Sequence, residues 1–270
     1  MLRSSFVRLV ALALALSALP LAPALAQADR LAAIRSTGVL RVGLTGDYKP
    51  FSFFDPVTAA WSGLDVDAAH ALATSLGTKL EIVKTEWPKM TADVTTGKFD
   101  IAMGGVSRSR DRSEAGLLTQ AYVSDGKVAL IRAADRARFA TLADFNVPSV
   151  RVAVNPGGTN QQFVDASVKG ATVTVLEKNL SIPPLVSNGT YDVMFTDGVE
   201  AAYYAQLDPK LAVMNAATPF TNIEKVYYVA KESATLLAYV DAWMSARERD
   251  GTFTALRTRY IGSNLNAPKR

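Results

Sequence analysis

Short apolar runs recur along this chain, and most are followed by apolar residues at helical spacing. Val39–Thr45, Leu80–Thr85 and Asp100–Val106 predict strands; Arg30–Ser36, Asp65–Leu76 and Trp87–Thr96 predict helices, with Gly38, Gly77 and Gly97 as stops. Gly46–Phe51 reads as a turn or loop, because Pro50 disfavours helical backbone at Lys49. After a strand at Lys127–Arg132 the alternation restarts. Strands at Val150–Val154, Thr172–Leu176 and Tyr191–Thr196 are followed by helices at Asn160–Val168, Ile182–Ser187 and Asp197–Ala205. A strand at Val226–Val229 and helices at Leu236–Arg249 and Phe253–Tyr260 close the chain. Strand–helix alternation predicts mainly parallel sheets covered by helices. Two such units without a low-complexity linker predict an α/β fold of two lobes. A ligand cleft is expected between them, at the C-terminal ends of the strands.

The first 26 residues stand apart. Arg3 and Arg8 precede an apolar run from Leu9 to Leu21, and Ala24-Leu25-Ala26 has the small-x-small form of a cleavage site. The expectation is an export signal cut after Ala26, with an uncleaved anchor as the competing reading. No other run approaches membrane-spanning length. The absence of cysteine places stability in a packed core and suits a bacterial periplasm. A net charge of +4, with Lys and Arg scattered, gives no argument for nucleic acid. The one histidine, His70, sits in a helical pattern and reads as a helix-surface residue. With no cysteine and one histidine, neither a zinc site nor a familiar triad is expected, and nothing calls for a cofactor.

Four candidate groups follow predicted strands, where the cleft would lie. Asp47 and Tyr48 occupy the first: the tyrosine can stack on a planar ligand and the aspartate can receive a cation or hydroxyl. The second is Gly104-Gly105-Val106-Ser107 with Arg112, where small residues admit a ligand and a hydroxyl and guanidinium suit a carboxylate; Arg108 and Arg110 compete with Arg112 for that role. The fourth is Thr196-Asp197-Gly198, whose acid orients a ligand or caps the next helix. Tyr48, Phe53, Phe54, Trp61 and Trp87 lie in segments able to line a pocket.

The third group, Asn155-Pro156-Gly157-Gly158-Thr159-Asn160-Gln161, is the most informative. Strand, glycine turn and helix start leave backbone N–H groups unpaired and aimed at one point, which attracts an anion. Gln161 can donate a hydrogen bond but yields no proton at neutral pH.

Together these residues resemble periplasmic solute-binding proteins of the amino-acid-receptor type, extracellular solute-binding protein family 3. The order fits over nearly all of the chain beyond residue 26: Gly38–Gly43, Asp65-Val66-Asp67, Gly97–Ile101 and Ser107…Arg112. The resemblance implies a two-lobed, type 2 periplasmic-binding-protein fold. The chain would cross between lobes near Arg132 and Lys225, with residues 27–132 plus 225–270 in lobe one and 133–224 in lobe two. It also implies a small carboxylate ligand, an amino acid or an aromatic or cyclic acid. The implied partner is an ABC-transporter permease, the sole link to a membrane. Implied ligand-binding residues are Asp47, Tyr48, Trp87, Gly105, Ser107, Arg112, Gly158, Thr159, Asn160, Gln161 and Asp197.

Within that superfamily the chain is similar to the cyclohexadienyl dehydratases, which convert prephenate or arogenate to phenylpyruvate or phenylalanine. Thr45–Ser52, Trp87-Pro88, Asp125-Gly126-Lys127 and Asn155–Asn160 carry that likeness. The dehydratase pattern follows Gly-Gly-Thr-Asn with Glu, where this chain has Gln161; Leu118–Tyr122, Thr196-Asp197-Gly198 and Ser181–Pro184 also depart from it. Expelling the ring hydroxyl needs a general acid, a contribution of about 10²–10⁴-fold. A buried glutamate can supply the proton and a glutamine cannot, leaving Glu86 and Asp197 as candidate replacements. The expectation is therefore a non-catalytic receptor, with dehydratase as the alternative and a sensory or structural binding module as a third class.

Overall fold

The computed structural model describes residues 29–262. The expected export signal and its cut after Ala26 lie outside them. Each lobe is built on a five-stranded sheet. In one, the order is Lys79–Lys84, Val39–Leu44, Ile101–Ala102, Tyr228–Ala230, Gly116–Leu118. In the other it is Thr172–Val175, Arg151–Val154, Val193–Asp197, Lys127–Arg132, Leu211–Met214. The first three strands of each pair in parallel, in the registers Val42↔Ile101 and Val152↔Val193. The fourth strand runs against its neighbours in both. Each reversed strand follows directly on a crossing between the lobes. The two crossings pair with each other as a small antiparallel ladder, Val123–Asp125 against Ile223–Lys225.

One expectation is corrected here. Lys127–Arg132, expected in the first lobe with a crossing near Arg132, pairs wholly with strands of the second sheet. Its residues Lys127 to Ile131 are all buried, as a central strand requires. The chain enters the second lobe before Lys127, through Val123–Asp125.

Burial follows the sequence pattern. Leu40, Val42 and Leu44 are fully buried in the first lobe's core, and Val152, Val154, Val193 and Phe195 in the second's. The helix Leu64–Leu76 packs Leu64, Val66, Ala68, Ala69, Leu72 and Ala73 inward and ends at Gly77 in the left-handed region at φ 68°. His70 is exposed on this helix.

Three local expectations change. The strand expected over Asp100–Val106 is confined to Ile101–Ala102, because Gly104 and Gly105 take φ of 94° and 76°, which a strand cannot continue. The helix expected from Trp87 begins at Met90, after a turn in which Glu86 O accepts from Lys89 and Met90 N. The Gly46–Phe51 loop contains the two-residue strand Asp47–Tyr48, paired with Ser52 and Phe53. Among the described residues no helix is long and apolar enough to cross a membrane.

Candidate functional site

Asp65 organises one wall of the cleft. It enters the core at the start of its helix and accepts from Gly104 N at 2.9 Å, Gly105 N at 2.6 Å, Tyr122 Oη at 2.6 Å and Tyr227 Oη at 3.0 Å. Burial raises its pKa to about 6 against the lowering effect of these bonds. The glycine loop is thereby pinned beneath Tyr48. A Cβ on Gly105 would lie 2.5 Å from the Tyr48 ring, so only glycine admits the ring this close to the loop.

Asp197, at the end of its strand, is the centre of the cleft. Its Oδ1 accepts from Lys127 Nζ at 2.7 Å. Its Oδ2 accepts from Lys225 Nζ at 2.6 Å and Tyr48 Oη at 2.5 Å. Burial alone would raise its pKa, but the two ammonium groups hold it well below the ordinary carboxylate range. Lys225 Nζ also donates to Ser107 Oγ at 2.9 Å and Tyr48 Oη at 3.0 Å, and Lys127 Nζ to Thr159 Oγ1 at 3.0 Å and to Asn160 Oδ1. The three donor positions of each ammonium are therefore filled. The hinge delivers these lysines: each lies where a crossing meets its sheet.

The three competing arginines separate by burial. Arg108 pairs with Glu224 at 2.7 Å and Arg110 with Glu114 at 2.7 Å, both at the surface. Arg112 is only 6 % exposed. It donates Nη1 to Ser107 O at 2.7 Å and lies 5.9 Å from the Trp87 ring centre. Among the described residues no carboxylate pairs with it, and burial pulls its pKa down to about 10. A buried guanidinium with free donors is a site for an incoming anion.

Across the cleft, the helix Thr159–Ser167 starts at Gly158 with no side-chain cap. Among the described residues the N–H groups of Gly158, Thr159 and Asn160 meet no protein acceptor. Asn160 Nδ2 donates to Asn155 Oδ1 at 3.1 Å and Thr196 Oγ1 at 3.2 Å, which locks the turn to the sheet. Gln161 turns back, its Oε1 accepting from Gly157 N at 2.6 Å. Trp87, Gly105 and Ser107 face Asn155, Gly158 and Thr159 around a cavity of only about 20 Å³, room for about one water. Lys127 and Lys225 are fully buried behind its wall, bonded to Asp197. A ligand therefore enters by parting the lobes or moving a lysine.

The structure thus gathers Tyr48, Trp87, Gly105, Ser107, Gly158, Thr159, Asn160 and Asp197 around one cavity. Arg112 stands behind Ser107. Asp47 accepts from Trp87 Nε1 at 3.0 Å and lines a wider neighbouring cleft with Phe54. Glu86 is exposed and paired with Lys89 at 2.9 Å. Lys127, Lys225 and Glu200 were not singled out from the sequence as site residues, whereas Asn155 opens the third candidate group. Lys127 stood inside the Asp125-Gly126-Lys127 run, the one available signal. Glu200 is fully buried and accepts from Asn179 Nδ2 at 2.7 Å and from Thr196 Oγ1; burial raises its pKa to about 8. It therefore carries a proton at neutral pH, one residue behind the cavity wall.

The family model for bacterial extracellular solute-binding proteins, family 3, matches residues 40–263. Cyclohexadienyl dehydratase of Pseudomonas aeruginosa is 39% identical over 247 residues, 92% of this chain and 91% of that protein. The crystal structure of an ancestral amino acid-binding protein, a precursor of cyclohexadienyl dehydratase, superposes with a TM-score of 0.80 at 34% identity, covering 86% of this chain and 99% of that one. The structure of an ancestral cyclohexadienyl dehydratase carrying a Pro-to-Leu substitution is 45% identical with a TM-score of 0.55, over 87% of this chain and 97% of that one. A two-lobed α/β fold with a polar cleft, and a family model that matches from residue 40 to 263, make this chain a member of the bacterial extracellular solute-binding proteins, family 3.

Proposed function

We propose that the protein is a periplasmic receptor that captures a small carboxylate and passes it to an ABC transporter in the membrane. One observation carries this reading: Arg112, buried and without an acidic partner among the described residues, donates to Ser107 O, and Ser107 shares one cavity with the open first turn at Gly158–Asn160 of the opposite lobe. Burying an unpaired cation costs several kcal/mol, and a ligand carboxylate between the two would offset that cost. Lobe closure on such a ligand excludes water and strengthens both contacts.

The likeness to the Pseudomonas dehydratase supports a second reading, in which the same cleft dehydrates prephenate or arogenate. The side chains speak against it. The dehydratase pattern has glutamate where this chain has Gln161, Glu86 lies at the surface, and Asp197 is held ionised between two lysines. Glu200 is protonated, but its carboxyl is enclosed by Thr196 and Asn179.

Incubating the purified protein with prephenate and following phenylpyruvate absorbance separates the readings. No turnover is expected; turnover near 1 s⁻¹, at the low end of ordinary enzymes, overturns the receptor reading. A thermal-shift screen of amino acids and aromatic acids then identifies the ligand, since a compound at 100 times its Kd adds about 2.7 kcal/mol of stability.

A further inference from the structure

Among the residues lining the central cavity, Asp197 is the sole acid. It is the acceptor that a ligand ammonium would need. Yet its two oxygens already receive three hydrogen bonds, from Lys127, Lys225 and Tyr48. Two of the three come from cations. A carboxylate offers about four acceptor positions, so little capacity is left. A third cation arriving there would also face two ammonium groups at close range in a site shielded from water.

The remaining acids do not supply an alternative. Asp125 is spent on backbone N–H groups, of Gly126 at 2.8 Å and Val199 at 3.2 Å. Glu200 is enclosed by Asn179 and Thr196. Asp47 accepts from Trp87 and opens to the neighbouring cleft.

We infer that Lys225 is the specificity-determining residue of this cleft: its ammonium stands where a ligand's 2-amino group would bind, so the site selects carboxylates with a 2-oxo or 2-hydroxyl group over amino acids. The inference rests on the carboxylate reading given above and adds what must be attached next to that carboxylate. An oxygen at the 2-position accepts from Lys225 in place of Ser107 or Tyr48 and leaves the Asp197 ion pairs intact. An ammonium must evict Lys225, breaking its bonds to Asp197, Ser107 and Tyr48 together. Lys225 is the candidate to be displaced rather than Lys127, because its partners Tyr48 and Ser107 lie on the first lobe and part from Asp197 when the cleft opens. Lys127 keeps Thr159, Asn160 and Asp197 within one lobe.

The test uses matched pairs, each common L-amino acid beside its 2-oxo acid counterpart, titrated calorimetrically into the purified protein. For the side chain that binds best, the 2-oxo acid is expected to bind at least tenfold more tightly than the amino acid. In Lys225→Met, of similar length but without charge, that ratio is expected to shrink severalfold or to invert, since Asp197 regains a free acceptor. An amino acid that binds the wild type as tightly as its 2-oxo counterpart overturns the inference while leaving the receptor reading in place. So does an unchanged ratio in a cooperatively unfolding Lys225→Met. Binding by no member of the panel overturns the carboxylate reading itself, and this inference with it. The wild-type comparison decides the matter by itself if the variant does not fold.

Discussion

The hydroxyl of Tyr48 donates to Asp197 Oδ2 at 2.5 Å, joining the first lobe to the second across the cleft. Lys225 braces the same contact from the hinge, bonding both groups. The lobes are therefore held closed by the site's own residues. Tyr48→Phe keeps the ring stacked on Phe51, whose centroid is 5.3 Å away, and removes only the hydroxyl. It is expected to lower stability by about 1.5–3 kcal/mol, the range for a hydrogen bond to a charged group. Urea unfolding measures this, and an unchanged midpoint would show that the Tyr48 hydroxyl adds nothing to the closure.

Arg112 should affect binding and stability in opposite ways. Arg112→Met is expected to weaken binding of the cognate carboxylate by about 30-fold or more, the lower range for losing one partner of a buried charge pair. Without ligand, the same change removes an unpaired buried cation, so stability should hold or rise. Arg110→Ala, at the surface, is the control and should leave the Kd within about twofold. Equal Kd values for the wild type and Arg112→Met would remove Arg112 from the site.

Glu200 gives the folded protein a pH signature. Folded, it holds its proton to about pH 8; unfolded, it ionises near its ordinary 4.5. Between those values the folded state binds the extra proton, so stability falls as pH rises through the window and levels off above about 8. Asp65 and Asp125 act in the same sense up to about pH 6, which leaves the interval from 6 to 8 to Glu200. Glu200→Gln should flatten the curve there by on the order of 2 kcal/mol, measured as the difference in unfolding free energy between pH 6 and 9. Parallel wild-type and variant curves would contradict a buried protonated carboxyl.

Gly157 sits at φ 72° with a would-be Cβ 2.6 Å from Pro88 on the other lobe. Gly157→Ala should obstruct closure as well as strain the turn. The expected result is a larger radius of gyration by small-angle scattering and at least tenfold weaker ligand binding. Wild-type dimensions with wild-type affinity would mean that the lobes need not approach this closely.

Gln161→Glu tests whether one acid is all the chain lacks for dehydration. The new carboxylate would accept from Gly157 N as Gln161 does, at a helix N-terminus that favours its ionised form. It is expected to stay deprotonated and to leave prephenate unconverted. Phenylpyruvate formation near 1 s⁻¹ would show that the remaining catalytic geometry is intact.

The local pattern was largely legible. Helix ends at Gly38 and Gly77, the strands at Val39 and Arg151, and the glycine turn with its uncapped helix start at Gly157–Asn160 follow from glycine positions and apolar spacing, which are properties of neighbouring residues. The loop at Gly104-Gly105 was legible as a close approach, but its left-handed backbone, which shortens the strand to Ile101–Ala102, was not foreseen. The choice among Arg108, Arg110 and Arg112 was not legible either, because burial depends on which side of a short helix meets the lobe.

By itself, the sequence determined two α/β lobes, a cleft at their strand ends and an amide where the dehydratase pattern has an acid. The tertiary structure alone decided what fills that cleft. Lys127 and Lys225 are 98 residues apart in the chain, and no local pattern says that they meet, yet the paired crossings bring both ammonium groups onto Asp197. Periodicity reports which face of an element is buried. It cannot report which charges from distant segments meet there, because that depends on how the chain crosses between lobes and on the reversed strands each crossing feeds.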